Sequence, residues 1–314
     1  MKFACVFPGQ GSQSVGMMAE FIDRYDEVKN LFTRASDALG YDLAGVIVNG
    51  PAEELNKTAC TQPAMLVAGV AAWKAFRIST QQKPVLMAGH SLGEYTALVC
   101  AGALQFEDAV KLVAERGRLM QNAVPEGIGA MAAILGLDDD QVKAVCAQAS
   151  DAKSIAQAVN FNSPGQVVIA GHAAAVDKAM ELAKAAGAKR ALKLPVSVPS
   201  HSSLMIDAAK QLGERLAAIE IRTPEIPVLQ NFDARTHTSS AEIAECLQKQ
   251  LYNPVLWVDT VNNIFAGTGI TATVECGPGK VLAGLNKRIY KDAEHYTLDS
   301  LDNLNKFVSA LETN

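Results

Sequence analysis

The sequence predicts an α/β protein in which a parallel sheet is layered by helices and a smaller β-α-β-β-α-β unit is inserted. Two observations predict it. Apolar runs of strand length, at 3–7, 84–88 and 270–276, are separated by long stretches with helical periodicity. Between 126 and 196 the spacing changes to short strands, tight turns and two short helices, so that segment is organised differently.

In order, 3–7 reads as a short buried strand that breaks at Pro8-Gly9-Gln10-Gly11-Ser12-Gln13. A glycine-rich loop after a strand exposes backbone N–H groups as phosphate loops do, but the lysine of a nucleotide-binding loop is missing, which argues against nucleotide binding. From 17 to 81 the pattern is helical, with Thr61-Gln62-Pro63 introducing an apolar helix through Trp73. The strand 84–88, a turn at 89–94 and two helices follow, the second over 107–123. Residues 128–136 read as a strand, 138–149 as a helix, and 155–161 as a strand turning at Asn162-Ser163-Pro164-Gly165. Its hairpin partner is 166–170, followed by a helix over 173–186 with Val176, Met180 and Ala183 on one face and a last strand over 189–196. That order is ferredoxin-like and divides the chain into a large domain, 1–125 with 197–314, and a small one, 126–196. The competing arrangement has these strands extending the main sheet. Beyond 197 come a helix from Ser202, a strand near 226–231 and a capping-box helix start at Ser239-x-x-Glu242. A helix after Pro254, a strand over 270–276, Gly277-Pro278-Gly279 and a terminal helical region complete the chain.

Composition narrows the function classes. With 49% hydrophobic and 19% charged residues over 314 positions, the chain fits a folded enzyme with a large core. A formal net charge of −5 argues against a nucleic-acid binder. Six widely spaced cysteines without a C-x-x-C pair read as buried free thiols in a reducing compartment, not as a disulfide framework or a zinc site. No charge-free apolar stretch approaches the ~20 residues that cross a bilayer. The apolar run at the N-terminus is too short for a signal peptide. A soluble cytoplasmic protein without a membrane association is expected.

The chemistry centres on Gly89-His90-Ser91-Leu92-Gly93-Glu94, placed between a strand and a helix. A G-x-S-x-G turn forces its serine into a strained conformation with the hydroxyl exposed, while the following helix aims N–H groups at any negative charge formed there. Ser91 therefore reads as a nucleophile that forms an acyl-enzyme. A serine hydroxyl needs a base. Among the five histidines, His90 adjoins the nucleophile on a sharp turn and points away, while His172, His237 and His295 fall in polar or charged surroundings and read as surface residues. His201, in Pro199-Ser200-His201-Ser202 where the chain leaves the small domain, is the candidate base, with a structural role as its alternative. Arg116 lies within the apolar stripe of helix 107–123, formed by Ala109, Leu112, Val113, Leu119, Met120 and Ala123. An uncompensated buried charge costs about 3–5 kcal/mol. The partner is either a structural carboxylate or a substrate carboxylate held by two parallel N–H···O bonds, unless the side chain snorkels to solvent.

At these residues the chain resembles the malonyl-CoA:acyl-carrier-protein transacylases of fatty-acid synthesis and the related acyltransferase domains of polyketide synthases. The resemblance rests on Gly9-Gln10-Gly11-Ser12-Gln13, Thr61-Gln62-Pro63, residues 89–94 and the arginine 25 positions after the serine. It continues through Ser163-Pro164-Gly165-Gln166, Pro199-Ser200-His201 and Gln250-Leu251-Tyr252-Asn253-Pro254, nearly the full length. It implies an α/β-hydrolase-like core with a ferredoxin-like subdomain, Ser91 as nucleophile and His201 as base and acid. It further implies Arg116 as clamp on the malonyl carboxylate, the Gln10 and Leu92 N–H groups as oxyanion hole, and Gln250 orienting His201 through its main-chain carbonyl. Asn160 would line the pocket, with Gln10. No metal or bound cofactor is implied; malonyl-CoA and acyl carrier protein are the substrates, and a monomer is expected.

Carrier proteins of this class are acidic, which makes Lys189, Arg190 and Lys193, and Lys287, Arg288 and Lys291, candidate docking charges. Three rival readings remain at this level: a serine esterase or thioesterase, which could recruit His295 near the C-terminus; an acyltransferase of polyketide synthesis or malonate decarboxylation; and a non-catalytic carrier-protein binder.

Overall fold

The computed structural model describes residues 1–125, 127–196 and 198–313, so the expected boundaries at Glu126 and Ser197, and the terminal Asn314, lie outside the described residues. In chain order the elements are β1 (Phe3–Phe7), α1 (Ala19–Arg24), α2 (Asp26–Leu39), α3 (Leu43–Asn49), α4 (Ala52–Leu55), α5 (Thr58–Ser79), β2 (Leu86–Gly89), α6 (Leu92–Cys100) and α7 (Phe106–Asn122). The second sheet is built from β3 (Gly129–Leu135), α8 (Asp139–Ala149), β4 (Ala156–Ser163), β5 (Gln166–His172), α9 (Ala173–Ala185) and β6 (Arg190–Lys193). A short 3-10 turn (Ser203–Met205) then precedes α10 (Ile206–Leu216), β7 (Val228–Leu229), α11 (Ser240–Gln250), α12 (Trp257–Phe265), β8 (Ala272–Glu275), α13 (Val281–Ile289), β9 (Glu294–Thr297) and α14 (Leu301–Thr313).

Phe-Ala-Cys-Val-Phe has no polar residue to face water, and β1 is buried at every position in the middle of a five-stranded parallel sheet, β7-β2-β1-β8-β9. Such a strand needs cover on both faces. One face packs beneath α5, α6 and α14 through Phe3, Phe7, Phe76, Leu98 and Phe307; the other packs on α12 and α13 through Trp257, Val261 and Leu282. The small sheet, β4-β5-β3-β6, is antiparallel throughout and separate from the first, so these strands do not extend the main sheet. Helices α8 and α9 bury one of its faces through Val142, Val145, Val176 and Ala179. Its edge strand β4 reaches the large body through main-chain bonds at Val255, Phe161 N–H to Val255 O (3.1 Å) and Val255 N–H to Val159 O (2.9 Å). No helix among the described residues is long and apolar enough to cross a membrane.

Several boundaries differ from expectation. Helix α5 begins at Thr58, with Pro63 inside it, because burial on nearly every side overrides the local signal of Pro63. The hairpin turns at Pro164-Gly165 alone; β4 continues through Asn162 and Ser163 with an irregular register after Phe161. Strand β7 is two residues long, because Gln230 N–H leaves the ladder for Arg235 O at 2.9 Å. The terminal region is not all helical. Residues 294–297 add a parallel edge strand, Glu-His-Tyr-Thr, whose polar and partly exposed residues carry no apolar alternation.

Candidate active site

The turn after β2 is built by exclusion of side chains. A Cβ on Gly89 would lie 2.0 Å from the Gly93 carbonyl, and one on Gly93 would lie 2.0 Å from Phe7 O. Glycine at both positions lets the turn fold on itself and lets the end of β1 lie against it, where Phe7 O accepts His90 N–H at 2.9 Å. The same approach sets the loop after β1 against the turn, where a Cβ on Gly9 would lie 2.6 Å from His90 O. Ser91 itself has φ 52° and ψ −109°, a strained backbone for a residue with a side chain, immediately before the first turn of α6. The N–H groups of Gln10 and Leu92 make no hydrogen bond among the described residues, which leaves both available to an oxyanion.

His201 also has a positive φ, 63°, and is nearly fully buried. Its Nε2 stands 2.8 Å from Ser91 Oγ. The last carbonyls of a helix have no intrahelical partner. Gln250 ends α11, and its free carbonyl accepts from His201 Nδ1 at 2.7 Å, while His201 N–H donates to Leu251 O at 2.9 Å. Burial, followed by the charge of Arg116, pushes the imidazole down to about 3. It is therefore neutral at neutral pH, with its Nδ1–H given to Gln250 and its Nε2 lone pair facing the serine hydroxyl. The partial negative charge at the C-terminus of α11 favours the imidazolium formed when the proton arrives.

Arg116 is 1% exposed. Its Nη1 donates to Gln62 Oε1 (2.8 Å), and its Nη2 donates to Gln250 Oε1 (2.8 Å) and Ser91 Oγ (3.2 Å). The guanidinium lies over the Tyr95 ring at 5.3 Å, and Nε has no partner among the described residues. The structural carboxylate considered from sequence is thus absent from its hydrogen bonds: every acceptor is a neutral oxygen. Burial lowers its pKa from the ordinary arginine value.

Beneath the serine lies a layer that the sequence reading missed. Glu94 Oε2 accepts from Asn231 N–H (2.8 Å) and Gln250 Nε2 (2.9 Å). Asn231 Oδ1 accepts from Ser91 N–H (2.6 Å) and its Nδ2 donates to Gly89 O (2.6 Å). Gln250 Nε2 also donates to Ser91 O (2.9 Å). Burial raises the Glu94 carboxyl to about 7. Glu94 and Gln62 stood inside recognised motifs with no role assigned. Asn231 had one usable signal, a polar residue at the carboxyl end of a sheet strand, where α/β sheets bind ligands.

The structure brings Ser91, His201, Arg116 and Gln250 together; Leu92 follows the serine in the chain, and the loop that carries Gln10 meets the turn at Gly9, where a Cβ would lie 2.6 Å from His90 O. Asn160 is buried on β4 opposite Val255 and makes no side-chain hydrogen bond to any of them. Its neighbour Asn162 instead meets the turn, Oδ1 to His90 Nε2 at 2.8 Å, so His90 does point away from the chemistry. His237 pairs with Asp233 at 2.8 Å. His295, expected on the surface, is half-buried on β9 against Thr273 and Tyr290 O, too engaged in the sheet to serve Ser91. A separate cleft of about 540 Å³, lined by Lys143, Cys146, Phe161, Pro254 and Leu256 among others, contains none of the Ser91 cluster.

The acyl transferase domain family matches residues 4–306. The chain is 55% identical over 305 residues to the malonyl CoA-acyl carrier protein transacylase of Haemophilus influenzae, covering 97% of each. An acyl carrier protein S-malonyltransferase structure from Vibrio cholerae aligns with TM-score 0.95 at 50% identity, covering 98% of this chain and 100% of that one. A malonyl-transacylase solved in complex with a type II polyketide-synthase acyl-carrier protein aligns with TM-score 0.96 at 49% identity, covering 100% of both.

Proposed function

This chain belongs to the acyl transferase family, and from that premise we propose that it moves malonyl from malonyl-CoA to the phosphopantetheine thiol of acyl carrier protein, supplying fatty-acid elongation. The observation that carries the reading is Arg116: a buried guanidinium 3.2 Å from the nucleophile oxygen whose hydrogen bonds all go to neutral acceptors. Esterification of Ser91 by a malonyl group puts a carboxylate one methylene beyond the new ester carbonyl, within reach of a guanidinium that has no carboxylate among its hydrogen bonds.

Ser91 Oγ attacks the thioester carbonyl as its proton passes to His201 Nε2. The negative oxygen rests on the Gln10 and Leu92 N–H groups, and collapse breaks the C–S bond as His201 returns the proton to the coenzyme A sulfur. In the second half the carrier thiol gives its proton to His201 and attacks the malonyl ester, and Ser91 Oγ leaves with that proton. The Gln250 carbonyl holds the ring where other serine enzymes use an acid. Catalysis is assigned to the large domain, 1–125 with 197–314, and enclosure of the acyl group to 126–196. One chain supplies every group named, so a monomer suffices, working in the cytoplasm on coenzyme A thioesters.

For carrier docking, Lys193 is already paired with Asp177, whereas Lys189, Arg190, Lys287, Arg288 and Lys291 make no ion pair among the described residues and are the stronger candidates. Charge reversal at these five should weaken carrier use while leaving loading from malonyl-CoA intact. The proposal is tested by incubating the protein with malonyl-CoA and measuring intact mass, then adding carrier protein. A malonyl adduct on a peptide containing Ser91, discharged to the carrier thiol, is expected. Steady release of free malonate without an adduct that transfers would make the chain a thioesterase.

A further inference from the structure

Glu94 is fully buried in the first turn of α6, directly under the nucleophile, and one of its oxygens serves two donors. Each donor belongs to a residue that holds the site. Asn231 grips the turn from both sides, taking Ser91 N–H and giving to Gly89 O. Gln250 gives its amide N–H to Ser91 O, takes Arg116 Nη2 on its amide oxygen and supplies its main-chain carbonyl to His201.

An amide side chain has a donor end and an acceptor end, and can be seated either way round. Arginine only donates, and Glu94 Oε2 already accepts two N–H bonds, so any proton Glu94 carries sits on its other oxygen, Oε1. The run Glu94–Gln250–Arg116 therefore has a fixed sense: the carboxylate claims the NH₂ end of Gln250, which leaves Oε1 facing the guanidinium. Resting on the malonyl-transfer reading above, we propose that Glu94 is the positioning residue of this site: by accepting from Gln250 and Asn231 together, it aims Arg116 at the acyl group and holds the Ser91 turn. Its second oxygen, Oε1, has no partner among the described residues, so the cost of burying a carboxylate here is met for orientation and not for a closed hydrogen-bond network.

Three variants separate acceptor geometry from charge, each read by kcat and KM for loading from malonyl-CoA, by the malonyl-to-acetyl preference and by thermal unfolding. Glu94→Ala should lower loading kcat about 100-fold, the scale of a small misplacement at a reacting centre, and should lower the malonyl preference at least about tenfold. Glu94→Gln keeps an acceptor at the same reach, although it can also present its other end, and should recover at least about tenfold of the lost kcat. Glu94→Asp keeps the charge but withdraws the oxygen by one methylene and should stay close to Glu94→Ala. The proposal is overturned if Glu94→Ala remains within about threefold of the parent in both kcat and preference, or if Glu94→Gln is no better than Glu94→Asp. Should Glu94→Ala fail to fold, the Gln and Asp variants decide the matter between them. Peptide mapping of the parent keeps the two readings apart: an adduct elsewhere than Ser91 removes the site reading, whereas an adduct on Ser91 with indifferent Glu94 variants removes only this inference.

Discussion

The Ser91 turn and the cage around Arg116 solve the same problem, holding one polar group in a buried place, by opposite means. The turn is local. Residues 89–94 are consecutive, and two glycines without side chains set its shape against β1. The cage is assembled across the chain. Arg116 takes Gln62 from α5 and Gln250 from the end of α11, while Glu94 of α6 anchors Gln250 from below. Reaction type and substrate choice are therefore encoded in different parts of the chain. A contiguous turn poised at a helix N-terminus makes a serine reactive toward acyl groups in general. A cage of neutral oxygens gives the guanidinium no carboxylate among its hydrogen bonds, and in the proposed function the substrate supplies it. Damage to the turn should therefore stop all acyl transfer, and damage to the cage should change which acyl group is transferred.

The largest expected effect is on the turn side. Ser91→Ala should lower loading of malonyl and acetyl groups alike by more than about 10⁵-fold, in line with removal of a catalytic serine elsewhere, read as loss of the adduct in intact mass. His201→Ala should lower both by about 10²–10⁴-fold, the range of general-base catalysis, measured by rapid-quench loading. Because burial holds His201 well below the usual histidine value, at about 3, it stays neutral as pH falls. The base form of His201 is lost only near that value, so any change in loading between pH 8 and 5 belongs to Glu94, which burial raises to about 7, and should vanish in Glu94→Gln; a fall through pH 6.5 that persists in Glu94→Gln would mean an ordinary histidine. Gly93→Ala should act through structure. Its methyl meets Phe7 O, and overpacking of this kind costs about 1–3 kcal/mol, read from urea unfolding together with reduced loading of both acyl groups. The smallest effect should come from Asn162→Ala, which removes one hydrogen bond to His90 worth about 0.5–1.5 kcal/mol and touches neither region's core; loading should change by less than about threefold.

The same contrast explains what could be read in the sequence. The strand-turn-helix around Ser91 was legible because its determinants are adjacent, and Arg116 because a charge inside an apolar helical stripe is conspicuous. The βαββαβ order also carried its own spacing. Asn231, Gln62 and Glu94 were not assigned, because a polar residue's role depends on partners up to 156 positions away. Strand β9 escapes the reading for a related reason: an edge strand of polar, partly exposed residues lacks the alternation that marks a strand. Asn160 came from the resemblance alone, and its side chain forms no hydrogen bond to the cluster that would assign it a part.

In the proposed function, Arg116 turns a general acyl-serine site into a malonyl transferase. The most direct measurement of this is the ratio of malonyl to acetyl loading rates in the parent and in Arg116→Ala, under single-turnover conditions. The ratio should fall by about 10²–10³-fold, matching loss of a buried charge pair of about 3–5 kcal/mol, with acetyl loading the less affected. An unchanged ratio, with both rates falling together, would mean that Arg116 supports the serine and does not read the substrate.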